Sequence, residues 1–474
     1  MKILYAASEA VPFCKTGGLA DVAGSLPPAL AEQGAETAVI LPLYRRVREK
    51  FADQLTFLCY DYVDLAWRHT YCGLFSMKKD GVTWYFLDNE QYFDRPELYG
   101  YVDDGERFGF FSRAVVKMLD HLEFWPDVIH CNDWQTALIP IYLKDDGVRE
   151  DRYRSIRTVL TIHNIEYQGR YDPYCLGDLF GLDRGWVDDG TLLLDGDLNL
   201  LKGAILTADA VNAVSPTYAQ ELKNPYFAHR MEGILTQCGY KLSGVLNGID
   251  MKLYDPAADG RITANYTAED LSGKAADKTA LQNLMGLNEE PNTPIIAMVS
   301  RLVSHKGLDL LREVMGDIME LPAQFVVLGS GDAGYEEFFR RMAERYPGRM
   351  AVRLGYNEAL SMAIYAGADL FLMPSRSEPC GLSQMIAMRY GTVPIVRETG
   401  GLKDSVFDAG GKNGNGFTFK TYDAYDMLDA VKRACELFAD KRKWNALVRH
   451  AMKCDYSWNV SAEKYVELYR SLLG

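Results

Sequence analysis

Residues 375–391 have the sequence Ser-Arg-Ser-Glu-Pro-Cys-Gly-Leu-Ser-Gln-Met-Ile-Ala-Met-Arg-Tyr-Gly and follow the apolar run 368–374. This pattern predicts a strand, a turn and then a helix that begins at Gly381, as in an α/β fold. The free N–H groups of Gly381, Leu382 and Ser383 would lie at a helix N-terminus, where phosphate groups bind. Glu378 lies in the same turn, so the segment indicates an enzyme for a phosphorylated or nucleotide-activated substrate. The alternative is that Glu378 only complements the helix dipole.

A second strand-to-helix turn carries two cations. The apolar run 294–299 predicts a buried strand, and an amphipathic helix is expected from Leu308. Arg301 and Lys306 lie between them, where open α/β sheets place their ligands. A planar guanidinium and a compact ammonium suit a diphosphate. The alternative is a pair of solvated loop cations.

A third turn of this kind lies near the N-terminus. The strand predicted at 2–7 is followed by Lys15-Thr16-Gly17-Gly18, which precedes a helix. Two adjacent glycines let the backbone come close to a ligand, and Lys15 adds positive charge. By itself this pattern is only weakly specific.

The composition limits the classes of function. The chain has 474 residues, 48% of them hydrophobic, and a formal charge of −14. This charge argues against general binding to nucleic acid or to an anionic membrane. Nine cysteines without a Cys-x-x-Cys pair indicate reduced thiols. Residues 1–10 have the pattern of a first strand and not of a signal peptide, and no apolar run is long enough to span a membrane. We therefore expect a cytoplasmic protein.

Apolar runs and helical segments alternate along the chain in two successive halves. A chain of this length predicts two or more domains. The turn signals near 244–256 place the boundary between the halves. The predicted strands are 2–7, 37–41, 82–87, 127–130, 157–162 and 210–214 in the first half, and 294–299, 324–328, 351–354, 368–373 and 393–396 in the second.

These segments resemble the bacterial glycogen synthase and plant starch synthase family, and the resemblance runs along essentially the whole chain. The matching motifs are Lys15–Leu19, Asp133-Trp134, 163–169 (His-Asn-Ile-Glu-Tyr-Gln-Gly), 214–218, 246–250, 299–302 with Lys306-Gly307, 376–384 and 399–402. The resemblance implies a GT-B architecture, in which two Rossmann-like doubly wound domains face each other across a deep cleft. It implies an N-terminal domain over 1–246 on the acceptor side, a donor-side domain over 247–456, and a C-terminal helix over 457–474 that crosses back.

The same resemblance implies a glycogen synthase activity. Glucose would pass from ADP-glucose to the non-reducing end of an α-1,4-glucan, such as glycogen or a maltooligosaccharide, with retention of configuration and release of ADP. No metal or other cofactor is expected. The family implies that the catalytic residues are Lys15, Asp133, His163, Arg301, Lys306 and Glu378. It implies donor contacts from Lys15, Gly17, Gly18, Asn247, Arg301, Lys306, Tyr356, Cys380, Gly381, Leu382 and Ser383, and acceptor contacts from Asp21, Phe93 and Asn164.

Several of these residues also have an ordinary structural interpretation. His163 follows a strand and could be a core or capping histidine. Asp133 could cap a helix that begins near Trp134. Tyr356 is expected to stack on the nucleobase, and the alternative is a loop tyrosine. By the resemblance, Glu378 positions sugar hydroxyls and is not a covalent nucleophile, because retention in this family is better described as attack on the same face within an ion pair.

Two positions depart from related patterns. Related retaining transferases often carry a second glutamate eight positions after the first, where this chain has Ile386. This agrees with the synthase family and disfavours sucrose- or lipopolysaccharide-type transferases. Gln135 stands where many family members have histidine, so an acid–base role at that position is in doubt.

Two further motifs suggest other chemistry. Gly329-Ser330-Gly331-Asp332-Ala333-Gly334 matches a dinucleotide-binding pattern, but the next predicted strand, 351–354, has no acid at its end. We therefore expect a tight turn there and not an NAD site. Asp195-Gly196-Asp197 has the spacing of a metal-binding pair, but it precedes the run 198–204, where we expect the acids to cap a helix.

Three other functions stay open at this point: a GT-B glucosyltransferase that uses UDP-glucose or another acceptor, a catalytically silent glucan-binding protein, and an NAD oxidoreductase. The sequence gives no oligomeric state.

Overall fold

The computed structural model describes residues 1–148 and 150–474. These residues form two compact units, Met1–Gly248 together with Trp458–Gly474, and Ile249–Ser457.

The first unit is built on a nine-stranded sheet with the order β12-β11-β7-β6-β1-β2-β5-β4-β3. All neighbouring strands are parallel except β4, which runs antiparallel to β3 and β5. A separate three-stranded antiparallel sheet has the order β8-β10-β9. The strands are β1 (Lys2–Ala6), β2 (Glu36–Pro42), β3 (Thr56–Leu65), β4 (Arg68–Lys79), β5 (Val82–Asp88), β6 (Val128–Asn132), β7 (Arg157–Ile162), β8 (Arg170–Tyr171), β9 (Leu193–Leu194), β10 (Asp197–Asn199), β11 (Ala210–Ala213) and β12 (Leu242–Gly244).

The central strands β1, β6 and β7 are almost continuously apolar and buried, as parallel strands covered on both faces must be. The helices of this unit that precede the boundary are α1 (Gly18–Glu32), α2 (Arg45–Phe51), α3 (Glu90–Phe93), α4 (Asp104–Lys117), α5 (Leu138–Gly147), α6 (Cys175–Phe180), α7 (Gly185–Asp188), α8 (Leu200–Thr207), α9 (Pro216–Glu221) and α10 (Glu232–Gln237).

The second unit contains a six-stranded, fully parallel sheet with the order β15-β14-β13-β16-β17-β18. This is the Rossmann order, in which the chain reverses direction across the sheet between β13 and β16. Its strands are β13 (Ile295–Val299), β14 (Gln324–Gly329), β15 (Met350–Leu354), β16 (Leu370–Met373), β17 (Val393–Arg397) and β18 (Phe417–Phe419). Its helices are α11 (Ser272–Met285), α12 (Leu308–Glu320), α13 (Ala333–Arg345), α14 (Glu358–Gly367), α15 (Ser383–Arg389), α16 (Gly400–Ser405), α17 (Ala424–Ala439) and α18 (Lys441–Lys453).

The last helix, α19 (Trp458–Leu473), belongs to the first unit and packs against α1. Its buried tyrosines reach polar groups of the sheet. Tyr469 Oη and His130 Nδ1 form a hydrogen bond of 2.7 Å, and Asn212 Nδ2 donates to Tyr465 Oη at 2.9 Å. These bonds satisfy buried polar groups that would otherwise be costly.

The predicted α/β class with two doubly wound parallel sheets is confirmed. The sequence did not reveal the long β3–β4 hairpin, because its strands carry exposed side chains on one face and lack a continuous apolar run.

Two predicted helix starts are wrong. Helix α15 begins at Ser383 and not at Gly381, because Gly381 has a φ of 71°, outside the helical region. The helix expected over 198–204 begins at Leu200, because Leu198 pairs with Tyr171 in the small sheet. Asn199, and not an aspartate, caps that helix by accepting from the Lys202 N–H.

None of the helices within residues 1–148 and 150–474 is both long and apolar enough to cross a membrane.

Candidate active site

A pocket of about 170 Å³ lies in the second unit at the carboxyl ends of β13 and β16, where the strand order reverses. Open α/β sheets bind their ligands in this crevice. Of the residues predicted from the sequence, the structure brings six to the lining of this pocket: Arg301, Lys306, Glu378, Gly381, Leu382 and Ser383.

Lys306 and Glu378 form a nearly buried ion pair in this pocket. Lys306 Nζ lies 2.7 Å from Glu378 Oε2, and the two side chains are 17% and 10% exposed. Ser375 Oγ donates to the same carboxylate oxygen at 2.9 Å. Arg301 also lines the pocket but is exposed. The pocket therefore contains a paired cation (Lys306), an exposed cation (Arg301) and a carboxylate that is fixed by its partners (Glu378).

The charge of Glu378 is maintained despite its burial. Burial alone raises the pKa of this carboxyl group, but the charge and hydrogen bond of Lys306, with the hydrogen bond from Ser375, bring the pKa below its ordinary value. Glu378 is thus ionised at neutral pH, and Lys306 compensates for it.

The loop before α15 has a fixed and unusual backbone. Gly381 adopts the left-handed conformation, and a Cβ atom there would lie 2.6 Å from Gln384 Oε1. Gln384 Nε2 donates to the carbonyls of Cys380 and Gly381 at 3.2 and 2.9 Å. These bonds hold the loop at the pocket wall, where its N–H groups can meet an anion.

The predicted motif at 399–402 forms hydrogen bonds with the backbone of this loop. The Gly401 N–H donates to the carbonyls of Glu378 and Pro379, both at 3.1 Å. Cys380, one of the predicted donor-binding residues, is 6% exposed and lies in the supported loop outside the pocket lining.

In the first unit, His163 follows β7 and is held by Asn132 at the end of β6. His163 Nε2 lies 2.9 Å from Asn132 Oδ1. The orientation of the Asn132 amide is fixed because its Nδ2 donates to the Ala6 carbonyl at 3.0 Å, and Tyr5 Oη donates to the same Oδ1 at 2.9 Å. An amide oxygen can only accept, so His163 carries its proton on Nε2.

This arrangement leaves Nδ1 of His163 as a hydrogen-bond acceptor, and Nδ1 has no partner within the described residues. Burial lowers the pKa of His163 to about 3. The side chain is therefore a neutral imidazole that can accept a hydrogen bond from a hydroxyl group.

Asp133 has a different role from the capping role considered above, and that alternative is wrong. Its φ is 54°, and its side chain makes no capping bond to the 3-10 turn Trp134–Thr136. Its Oδ1 accepts from the His163 N–H at 2.7 Å. Burial raises the pKa of Asp133 to about 7, although the N–H groups of His163 and Asn164 oppose the shift. Asp133 thus ties the end of β6 to the loop after β7.

The glycine turn before α1 is held by a residue that the sequence did not reveal. The buried Glu9 Oε2 accepts from the N–H and hydroxyl of Thr16 at 2.5 and 2.7 Å. Lys15 is 47% exposed and pairs with Asp21 at 2.7 Å. The turn therefore presents Lys15 to solvent, with Gly17 and Gly18 at the start of α1.

The remaining predicted residues fall into different environments. Asn247 is 5% exposed, and its Oδ1 has no partner in the described part of the chain. Asn164 is half-buried, and its Oδ1 accepts from the Glu166 N–H. Tyr356 follows β15 and is 85% exposed. Phe93 is fully buried beside Tyr44, so the structure contradicts its expected acceptor contact.

The two motifs that suggested other chemistry are explained by ordinary contacts. The glycine-rich turn after β14 bonds to the Arg301 loop through Leu302 N–H to Ser330 O at 2.8 Å. Asp195 pairs with Arg230, and Asp197 with Arg170. Among residues 1–148 and 150–474, no group of three or more histidine, cysteine, aspartate and glutamate side chains is placed to hold a metal ion.

Sequence reasoning missed Glu9, Asn132 and Ser375, which orient the predicted residues. Each follows or ends a strand and is polar and buried. That pattern could have drawn attention to them, but their partners are distant in the sequence and become visible only in the fold.

The fold and these sites define a glycosyltransferase. The family model described as "Starch synthase catalytic domain" matches residues 2–237, and that described as "Glycosyl transferases group 1" matches residues 284–449. The chain belongs to the glycogen synthase and starch synthase family of glycosyltransferases.

Individual relatives agree along the whole chain. A glycogen synthase of Bacillus cereus (strain ATCC 10987 / NRS 248) is 48% identical, and one of Lactobacillus acidophilus is 46% identical, each over 100% of both chains. The catalytic domain of starch synthase IV from Arabidopsis thaliana, solved with ADP and acarbose bound, has a TM-score of 0.89 and 36% identity, covering 99% of both chains. Sucrose-phosphate synthase from Thermosynechococcus elongatus shares the fold, with a TM-score of 0.61 and 18% identity over 99% of this chain and 98% of its own.

Proposed function

We propose that this protein is a glycogen synthase that transfers glucose from ADP-glucose to the non-reducing end of an α-1,4-glucan, with retention of configuration and release of ADP. The observation that carries the proposal is the pocket at the β13–β16 crossover. It places Arg301, Lys306 and the loop 381–383 around one small volume.

The chemistry of the transfer matches these groups. Breaking the bond between the glucosyl carbon and the diphosphate builds negative charge on the departing oxygen. Arg301 supplies a planar fork of N–H donors, Lys306 a point charge, and the loop backbone further donors. These groups stabilise the leaving group more strongly in the transition state than in the ground state, which is what accelerates the reaction. No metal is required in this proposal.

Glu378 acts on the sugar and not as a nucleophile in this proposal. Its carboxylate is already engaged by Lys306 and Ser375, which orient it as a hydrogen-bond acceptor. A glucosyl hydroxyl can donate to it, and the departing phosphate takes the proton of the acceptor hydroxyl. Attack then occurs on the face that the phosphate leaves, which retains the configuration.

Residues of the first unit serve the sugar and the phosphates. Nδ1 of His163 and the unpaired Oδ1 of Asn247 are acceptors for glucosyl hydroxyl groups. Lys15, beside Gly17 and Gly18, contributes positive charge for the diphosphate. In the second unit, Tyr356 provides an exposed ring that can stack on adenine or uracil alike.

The choice of donor base is supported by the starch synthase structure, which was solved with ADP bound. The same structure has acarbose bound, which supports a glucan acceptor here. The full-length glycogen synthase relatives support the same reaction. A UDP-glucose-dependent enzyme on the same fold is the second candidate.

The proposal is tested by incubating the purified protein with maltoheptaose and either ADP-glucose or UDP-glucose, while nucleotide release and primer length are followed together. We expect extension with ADP-glucose and little with UDP-glucose. Extension with UDP-glucose alone would show that UDP-glucose, and not ADP-glucose, is the donor. Consumption of the donor without primer extension would show that the acceptor is not an α-1,4-glucan. Glucan binding without turnover of either donor would identify a silent binding protein.

A further inference from the structure

Arg397 is a buried cation beside the loop that carries Glu378. It is the last residue of β17, which pairs with β16, and it is 8% exposed. Its Nε donates to the Ser375 carbonyl at 2.9 Å, and its Nη2 donates to the Arg376 carbonyl. Hydrogen bonds from a charged donor are stronger than those between neutral groups. The guanidinium therefore holds the backbone that leads from β16 to Glu378.

These bonds reach the Glu378 carboxylate through one intermediate residue. Ser375, which is 1% exposed, accepts from Arg397 with its carbonyl oxygen and donates with its Oγ to Glu378 Oε2 at 2.9 Å. The same carboxylate oxygen lies 2.7 Å from Lys306 Nζ. A shift of the Ser375 backbone would therefore move a hydrogen-bond donor that orients Glu378 against Lys306.

The ring of Tyr422 packs against the same guanidinium. Its centroid lies 5.8 Å from Arg397 Cζ and 4.7 Å from Arg376 Cζ, distances at which a cation is attracted to an aromatic ring. The Tyr422 hydroxyl donates to Asp309, in the first turn of α12, the helix that begins two residues after Lys306. Tyr422 thus connects Arg397 to both segments whose side chains meet in the pocket.

The alternative is that Arg397 only stabilises the fold, as another arginine of this unit does. Arg349 Nη2 donates to the carbonyls of Leu321 and Ala323 at 2.6 and 3.0 Å. These residues precede β14 and β15, so they lie at the amino ends of the strands, away from the pocket at the carboxyl ends. Arg349 is therefore a matched arginine without a connection to Glu378.

We propose that Arg397 is a positioning residue for glucose transfer, which holds the Glu378 carboxylate where a glucosyl hydroxyl of the donor can reach it. The inference rests on the proposed function and adds to it the residue that sets the geometry of the sugar contact. Arg397 touches neither sugar nor diphosphate and acts through Ser375. Its loss should therefore impair the sugar contact and spare the diphosphate contacts of Arg301 and the loop 381–383.

The test is a double-mutant cycle of Arg397→Lys and Glu378→Gln, assayed with ADP-glucose and maltoheptaose. Lysine keeps the charge but lacks the planar fork that reaches two carbonyls. We expect Arg397→Lys to lower kcat by about 10²-fold, the cost of a displacement of about 1 Å. In a chain that already carries Glu378→Gln, the same substitution should lower the residual kcat by less than about threefold, because residues that act as a unit are not additive.

Calorimetric titration with ADP separates the sugar contact from the diphosphate contacts. ADP has no glucosyl group, so its dissociation constant should change less than about twofold in Arg397→Lys. Arg349→Lys is the control and should leave both kcat and ADP binding unchanged, although it alters a comparable pair of carbonyl bonds. Equal losses of kcat with and without Glu378→Gln would overturn the proposal. ADP binding weakened as much as kcat would also overturn it, because it would indicate a general distortion of the pocket.

Urea unfolding of the ligand-free chain gives the same cycle without turnover. The loss of stability in the double variant should be smaller than the sum of the two single losses, because Arg397 and Glu378 are joined through Ser375. Additive losses would overturn the positioning role whatever the reaction is. Non-additive losses in a protein that does not transfer glucose from ADP-glucose would keep this role and reject the proposed function.

Discussion

Lys306 and Glu378 depend on each other for stability, and we propose that both act in the reaction. Each charge is nearly buried, and the distance of 2.7 Å between Nζ and Oε2 allows one to compensate the other. Removal of one partner from such a pair leaves an uncompensated buried charge. Arg301 differs because it is exposed in the same pocket, so its loss should affect only the reaction.

Lys306→Ala should lower kcat by about 10²–10³-fold, as for a lost group that stabilises developing charge. It should also lower the free energy of unfolding by about 3–5 kcal/mol, because Glu378 stays buried without its cation. Steady-state kinetics and urea unfolding measure the two effects separately.

Two further variants separate these roles. Adding Glu378→Gln to Lys306→Ala should restore much of the stability but none of the turnover. Arg301→Ala should reduce kcat to a similar extent with little change in stability. Lys432→Ala, at an exposed position of α17, is the control and should change stability by less than about 0.5 kcal/mol. Turnover within about threefold of wild type for both Arg301→Ala and Lys306→Ala would contradict the leaving-group assignment, because either loss should cost far more.

The burial of His163 makes the free energy of unfolding depend on pH. Burial lowers its pKa to about 3 in the folded chain, whereas an exposed imidazole titrates at about 6.5. Between these values the unfolded chain binds one more proton than the folded chain. The free energy of unfolding therefore falls as the pH drops below about 6.5, and this loss ends below about 3.

His163→Gln should remove this contribution, so that the free energy of unfolding falls less steeply with decreasing pH, by up to about 1.4 kcal/mol per pH unit. Urea unfolding of the wild type and the variant between pH 5 and 6.5 measures the difference. Burial lowers the pKa of His130 to about 3 as well, and His130 remains in the variant, so some pH dependence should persist. If the free energy of unfolding changed with pH at the same rate in the two proteins, His163 would bind its proton equally well in the folded and the unfolded chain.

Candidate site residues could be predicted where they follow strands in family-like motifs. Arg301, Lys306 and Glu378 meet in one pocket because the carboxyl ends of β13 and β16 are adjacent. The expected acceptor contact of Phe93 was wrong, because sequence alone does not separate a core aromatic from a surface one. Asn132 and Glu9 could not be predicted because their partners are defined by the fold.

At the scale of elements, the loop that carries Glu378 depends on the start of α16. A Cβ atom at Gly400 would lie 2.0 Å from the Glu378 carbonyl oxygen, and one at Gly401 would lie 2.1 Å from the Cys380 carbonyl oxygen. Neither position has room for a side chain, since the close atoms belong to the backbone of the loop that carries Glu378.

Gly401→Ala should therefore displace the loop and lower kcat/KM by about 10²-fold, the cost expected for a displacement of about 1 Å. The control is Gly316→Ala in the middle of α12, where no atom lies within 4 Å of the added methyl group. That substitution should raise stability by about 1 kcal/mol through helix propensity and leave kcat/KM unchanged. Wild-type kinetics in Gly401→Ala would show that the close packing of this loop is irrelevant to activity.

The elements that could be predicted were the buried parallel strands, whose continuous apolar runs leave little ambiguity. The β3–β4 hairpin has no such run, and the start of α15 depends on the left-handed backbone of Gly381. Both features depend on tertiary contacts and on local backbone conformation, which cannot be inferred from the pattern of apolar residues in the sequence.

At the scale of the whole molecule, the positions of the predicted site residues follow the same rule in the two units. In the second unit the pocket lies where the strand order reverses between β13 and β16. In the first unit the order reverses between β1 and β6, and the turn with Lys15 follows β1 while Asp133 follows β6. In each unit, predicted site residues thus follow the strands between which the strand order reverses, where open α/β sheets bind their ligands.

The most direct test of glucose transfer is to follow ADP-glucose labelled with ¹³C at the anomeric carbon by NMR, with maltoheptaose as the acceptor. We predict that the labelled carbon appears in a new α-1,4 linkage, with one ADP released for each linkage, and that Lys306→Ala abolishes both signals on the same timescale. A β-linked product, or label that accumulates only as free glucose, would contradict the account.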